Sequence, residues 1–182
     1  MSFGLIKASF VPEQEFQELR SLLRARKQLA RQQTSHVQRI QKTLKEANIK
    51  LDSMISEIMG LSGRRMIEAM IKGVKSPTKL AELDGRRIRA RPKQLYDALH
   101  GRLTDHHRFM LQLYLQQYDS LADAIAKIDS QVDTAIAKMG AEVAADQATF
   151  RALIGLLCTV PGISDLAANT ILAETWAGLC PG

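Results

Sequence analysis

The stretch FQELRSLLRARKQLARQQTSHVQRIQKTLKEANIKL, residues 16–51, decides the fold class. Within it Phe16, Leu19, Leu23, Ala30, Val37, Ile40, Leu44, Ala47 and Leu51 recur by threes, fours and sevens. A period of 3.5 sustained over about ten turns keeps one apolar seam turned toward a partner helix, which is the signature of a coiled coil. Arg26 and Gln33 stand in that seam and interrupt it. Pro12 and Glu13 mark the start, because proline fits a first turn that has no use for its N–H, and an acid complements the positive end of the helix dipole. Asn48, which tolerates the left-handed conformation of a helix cap, marks the end.

A second seam runs through Leu111, Tyr114, Tyr118, Leu121, Ile125, Ile128, Val132, Ala135 and Met139. Thr104 and Asp105 read as its N-cap and acidic first turn, and Gly140 as its stop. Between the seams the pieces are short. Ser62 is expected to cap a helix over 63–72 that Gly73 closes. Ser76-Pro77 opens another through Leu83, closed by Asp84-Gly85, and Pro92 opens a third that ends at Gly101. After the second seam a helix over about 147–157 leads into Cys158-Thr159-Val160-Pro161-Gly162-Ile163-Ser164, and a helix over 165–174 follows.

The expected fold is therefore all-α: two long heptad helices as an antiparallel coiled coil, a short-helix insert and a C-terminal helix-hairpin-helix-like module. Four segments are expected: a basic long helix over 1–50, the insert over 51–103, the second long helix over 104–140 and the hairpin module over 145–182. Heptads fit pairing within one chain and between two chains equally well, so a homodimer or higher oligomer is an expected assembly.

Composition narrows the class of function. In 182 residues, 46% hydrophobic and 24% charged is a globular balance, and 5% aromatic leaves a core of Leu, Ile, Met and Ala, a helix-forming palette. No run of 18 apolar residues exists and the start lacks a secretory pattern, so no membrane partner is expected. Cys158 and Cys180 are too few for a disulfide framework; they read as small buried hydrophobes in a reduced, cytoplasmic setting.

Net charge is +6 and unevenly spread. Residues 1–118 hold 22 Lys/Arg against 11 Asp/Glu, whereas residues 119–182 hold 3 against 8. The front of the chain is thus suited to a polyanion and the back to packing on protein. The first long helix carries nine cations between residues 20 and 50, Arg20, Arg24, Arg26, Lys27, Arg31, Arg39, Lys42, Lys45 and Lys50, with Glu46 as the acid among them. Such a stripe can neutralise phosphates, which makes binding salt-sensitive but does not read sequence. The rival reading is the solvated outer face of a coiled coil.

Other motifs carry less. Adjacent His106 and His107 point about 100° apart on a helix and do not chelate one ion as an i, i+4 pair does. His107 falls on the seam, which makes a partly buried histidine the better account. The link from Cys158 to Ser164 has the form of a helix-hairpin-helix turn, in which Gly162 and Ser164 would offer backbone N–H groups to a phosphate. Ser164 stands where a second glycine is usual, and the acid Asp165 follows. Packing inside a helical domain is the alternative. No nucleophile, facing carboxylate pair or Gly-rich nucleotide loop is present, so no catalytic residue is assigned.

Several phrases in one order resemble a single family. These are Ala8-Ser9-Phe10-Val11-Pro12, the run from Glu18-Leu19-Arg20 to Arg39-Ile40-Gln41-Lys42, and Glu46-Ala47-Asn48-Ile49-Lys50-Leu51. Thr104-Asp105-His106-His107-Arg108-Phe109, Cys158-Thr159-Val160-Pro161-Gly162 and Trp176-Ala177-Gly178-Leu179-Cys180-Pro181-Gly182 follow. From about Ala8 onward the chain resembles the IS one-ten family of insertion-sequence transposases, also called DEDD transposases or bridge-RNA-guided recombinases. The resemblance covers that family's coiled-coil region and the start of its C-terminal transposase domain. It implies a role in DNA transposition and recombination through oligomerisation and binding of DNA, with guide RNA as a second nucleic-acid partner. The family's acidic metal-binding domain and its serine nucleophile segment fall outside the matched phrases. The chain is thus expected to be a truncated member, inactive alone, without a cofactor where full-length members use a divalent metal such as Mg. Ala173-Glu174-Thr175 runs directly into Trp176-Ala177-Gly178, where the family usually has a further connecting stretch, which implies an internal deletion. A coiled-coil oligomerisation module without nucleic-acid binding is the alternative function.

Overall fold

The computed structural model describes residues 14–53, 55, 57–83, 99, 101–141 and 150–175. The regular structure among them is helical throughout: α1 (Gln14–Glu46), a single 3-10 turn (Leu51–Ser53), α2 (Leu61–Ile71), α3 (Pro77–Glu82), α4 (Asp105–Ala141), α5 (Phe150–Cys158) and α6 (Asp165–Thr175). The all-α expectation holds, with the two heptad stretches forming the two long helices.

Local chemistry accounts for most of the boundaries. Asn48 has φ 57, and beyond α1 the Asn48 N–H donates to the Lys45 carbonyl (2.9 Å) while the Ile49 N–H donates to that of Leu44 (2.8 Å). This is the Schellman pattern, and its accompanying apolar contact is present because Leu44 and Ile49 share one core. The same pattern closes α2, where Gly73 (φ 90) donates to Met70 and Val74 to Ala69. Ser76 Oγ accepts the Lys79 N–H at 3.5 Å, as expected of the cap before Pro77. At Thr104 the cap is reciprocal. Its Oγ1 accepts the His107 N–H (3.3 Å), and its own N–H donates to His107 Nδ1 (3.2 Å), a capping box in which an imidazole does the work of the usual glutamate.

Two expected boundaries are corrected. α2 begins at Leu61, with extended Gly60 (φ −65, ψ 168) as its cap residue and no side-chain cap bond, so Ser62 lies inside the first turn. The turn before it, closed by the Gly60 N–H on the Glu57 carbonyl, delivers the chain into the helix one residue earlier than a serine cap would. α4 continues through Gly140 to Ala141. An internal glycine costs about 1 kcal/mol relative to alanine, and burial of Val132, Ile136 and Met139 in the preceding turns offsets that. The helix expected from Pro92 falls outside the described residues, apart from Leu99, which is helical and buried. The Pro12-Glu13 start, Cys180 and the terminal turn also fall outside them.

Packing divides the chain into two compact units that follow contact rather than chain order. One comprises residues 1–28 and 125–182, here termed the terminal unit; the other, 29–124, is the central unit. In the terminal unit Phe16, Leu19 and Leu23 of α1 bury with Val132, Ile136 and Met139 of α4, Phe150 of α5, and Leu172 and Ala173 of α6. Phe16 and Phe150 meet edge to face with centroids 5.8 Å apart, the geometry favoured by aromatic quadrupoles. In the central unit Ile40 and Leu44 of α1 and Leu111 of α4 bury with Ala47, Ile49, Leu51, Ile58, Met66, Ile67, Met70, Leu80 and Leu99.

Within each unit the long helices run antiparallel and the pairing is within one chain. Both residues that interrupt the first seam turn out to be matched across it. Arg26 donates from Nε and Nη2 to the two carboxylate oxygens of Asp129, the latter at 3.1 Å, and Gln33 Nε2 donates to the Tyr118 carbonyl at 3.5 Å. Leu115 and Ile136, outside the expected second seam, are also buried, which widens the apolar stripe of α4 beyond a strict heptad face.

Candidate nucleic-acid interface

At 100° per residue, Arg31, Gln38, Lys42 and Lys45 of α1 lie within an arc of roughly 60° and span about 21 Å of helix in the central unit. All four are exposed, because the opposite face of those turns is committed to the core through Ile40 and Leu44. Lys42 approaches Glu46 at 4.0 Å with side chains 79% and 54% exposed, and Lys45 meets Asp52 at 2.8 Å. Single, unforked lysine–carboxylate pairs at a surface are weak and exchange readily for another anion. Arg31 makes no ion pair among the described residues. Arg39 lies to one side of this line, its guanidinium 5.8 Å from the centre of the Tyr114 ring, within cation–π range. Lys50, also exposed, follows the α1 cap.

The expected cations of the terminal unit are spent differently. Arg24 holds Glu174 of α6 in a fork, Nε to Oε1 and Nη2 to Oε2, both at 3.0 Å. Arg20 is only 17% exposed; its Nε donates to the Ala173 carbonyl and its Nη2 to that of Glu174 at 3.3 Å. It thereby satisfies carbonyls that the end of α6 leaves without helical partners. Arg26 is 23% exposed, and its hydrogen bond to Asp129 raises its pKa further above the usual arginine value. Lys27 is exposed and makes no ion pair among the described residues. The nine expected cations thus divide into three arginines fastened to α4 and α6 and six residues at the surface.

The hairpin module is formed, with α5 and α6 packed on each other across the expected turn. Gly162 takes φ 91 and is exposed, and the Ile163 N–H closes the turn on the Val160 carbonyl at 3.1 Å. Ser164 Oγ accepts the Ala167 N–H (3.3 Å), so it serves as the cap of α6. Cys158, expected to be buried, is instead half-buried and donates from Sγ to Asp165 Oδ1 at 3.0 Å. That hydrogen bond to a carboxylate holds the thiol pKa above its ordinary value. The nearest charge to this turn is therefore negative, which opposes a phosphate.

No group of His, Cys, Asp or Glu among the described residues is arranged to hold a metal ion. His107 spends Nδ1 on the cap at Thr104, and its ring centre stands 6.1 Å from that of His106. No helix among the described residues is long and apolar enough to cross a membrane.

The central unit carries further cations beyond those of α1. Over 29–124 there are 17 Lys/Arg against 10 Asp/Glu, a net +7; the rest of the chain has 8 against 9. Arg65, Lys72, Lys75, Lys79 and Arg102 are exposed. The run Arg86-Arg87-Ile88-Arg89-Ala90-Arg91-Pro92-Lys93 was visible as the densest charge in the sequence and lies outside the described residues. Comparison with models of known families, with curated proteins and with solved structures returns no match.

Proposed function

We propose that this chain is the nucleic-acid-binding helical part of a transposase of the IS one-ten type, holding element DNA, or the guide RNA that addresses it, on the basic surface of its central unit. The observation that carries the reading is the net +7 of that unit together with the exposed line Arg31, Lys42 and Lys45, of which the two lysines have exposed, weak carboxylate partners. The transposase identity rests on the ordered phrases described above. In this reading the chain binds and positions; strand cutting belongs to acidic and serine segments that none of its residues supply.

Three to five neutralised phosphates correspond to a slope of log K against log salt of about −2.7 to −4.5. Fluorescence anisotropy with a labelled 30-base-pair duplex should accordingly show affinity falling about 40- to 500-fold between 50 and 200 mM salt. Absence of binding at 50 mM salt would overturn the proposal and leave an assembly module whose basic face is only hydrated.

A further inference from the structure

A cavity of about 440 Å³ opens in the central unit between α2, α3 and the start of α4. That volume lies in the range of sites for small organic ligands. Its floor is apolar, formed with Met70, Leu80 and Leu99, and its lining also includes Val74 and Leu103. Cations lie at its edge. Lys75 and Arg102 are exposed and make no ion pair among the described residues, whereas Arg108 is bound to Asp105 and to the Leu103 carbonyl. With Asp105 offset by Arg108, two positive charges remain.

The position of Arg102 is built in. Its backbone N–H donates to the Ala47 carbonyl at 2.9 Å. The preceding residue must be glycine for that approach, since a Cβ on Gly101 would stand 2.3 Å from the same oxygen. The cap of α1 thus fixes the residue that brings positive charge to the cavity.

We infer that this cavity receives one nucleotide, its phosphate between Lys75 and Arg102 and its base against Val74 and Leu103. A stacked base pair presents no free face to such a floor, so the occupant is an unpaired nucleotide. It comes either from a strand bound to the basic surface, in which case the inference rests on the function proposed above, or from solution as a free nucleotide.

The test uses the full chain with three probes: a labelled 12-nucleotide single strand, a labelled blunt hairpin duplex and adenosine 5′-monophosphate. Val74→Phe fills the cavity without changing charge. It should weaken the single strand at least about fivefold and leave the duplex within about twofold. Adenosine monophosphate should displace the single strand from the wild type and fail to bind the variant. Should Val74→Phe disturb folding, the exposed pair Lys75→Gln/Arg102→Gln replaces it: the monophosphate should lose its advantage over adenosine. Unchanged single-strand and monophosphate binding in both variants would overturn the cavity site and leave the proposed function standing. Monophosphate binding without oligonucleotide binding supports the free-nucleotide source and overturns the proposed function. If no probe binds, both fall.

Discussion

The cations of α1 are used in opposite ways in the two units, although the central unit also holds one forked pair away from α1, Arg64 on Asp119 at 2.6 Å. In the terminal unit Arg20, Arg24 and Arg26 face α4 and α6 and are held by Glu174, Asp129 and carbonyl oxygens. In the central unit Arg31, Lys42 and Lys45 stand outward against exposed, loosely held acids or none. One helix therefore carries a stripe that is structural at one end and available at the other. Total charge does not separate these cases; what separates them is whether a carboxylate from another helix arrives with matching geometry. The forked Arg–carboxylate bonds of the terminal unit have that geometry, and the lysine pairs of the central unit do not.

The contrast is tested most strongly by opening one unit at a time. Phe150→Ala removes a fully packed ring from the terminal unit and should cost about 3–5 kcal/mol. Hydrogen exchange should then lose protection in α5 and α6, while duplex affinity stays within about threefold. Leu44→Ala, costing about 2–5 kcal/mol in the central core, should abolish duplex binding under conditions where that unit opens. Loss of binding in Phe150→Ala with the central unit still protected would assign the interface to the wrong unit.

A smaller effect comes from the surface itself. Lys42→Gln/Lys45→Gln should flatten the salt slope by about 1.8, at about 0.9 per phosphate contact. Arg20→Gln/Arg24→Gln should leave the slope nearly unchanged and lower stability instead, because those side chains answer to Glu174 and to the end of α6. An equal change of slope in both pairs would erase the distinction. Glu174→Gln refines it: with the fork broken, Arg24 becomes available, and affinity should rise about two- to threefold as the stability of the terminal unit falls slightly.

Much of the scaffold was legible because its causes are local. Seam spacing marked the buried Leu19, Leu23, Ile40 and Leu44, and Asn48, Gly73, Ser76 and Thr104 marked helix ends through chemistry confined to a few residues. What escaped depended on register between distant segments. Arg26 looked like a flaw in the seam, since Asp129 becomes its partner only once the helices pair. Arg24 looked like a phosphate ligand, since nothing near it announces Glu174, 150 residues further on. Gly140 misled because a stop signal worth about 1 kcal/mol loses to the buried residues of one more turn. The cavity was invisible for a similar reason: Lys75 and Arg102, 27 positions apart, line it together only in the folded chain, where the bond from Arg102 to Ala47 holds one of them.

The smallest predicted effect depends on an asymmetry in composition. All four histidines, His36, His100, His106 and His107, belong to the central unit. His36 lies on α1 with its ring 6.0 Å from that of Tyr114 and with Nδ1 buried and without a hydrogen-bond partner. Burial, then the charge of Arg39, lowers its pKa below the ordinary value near 6.5. The unfolded chain therefore takes up a proton that the folded one resists. Stability contributed by His36 is intact above about pH 6.5 and declines as pH falls from there toward the depressed folded value. His36→Gln should consequently shrink the loss in denaturation midpoint between pH 7.5 and 5.5. An unchanged pH dependence in the variant would mean that the imidazole finds a partner for its proton in the folded state. Protection of α5 and α6 in the terminal unit, which has no histidine, should be the same at both pH values in wild type and variant alike.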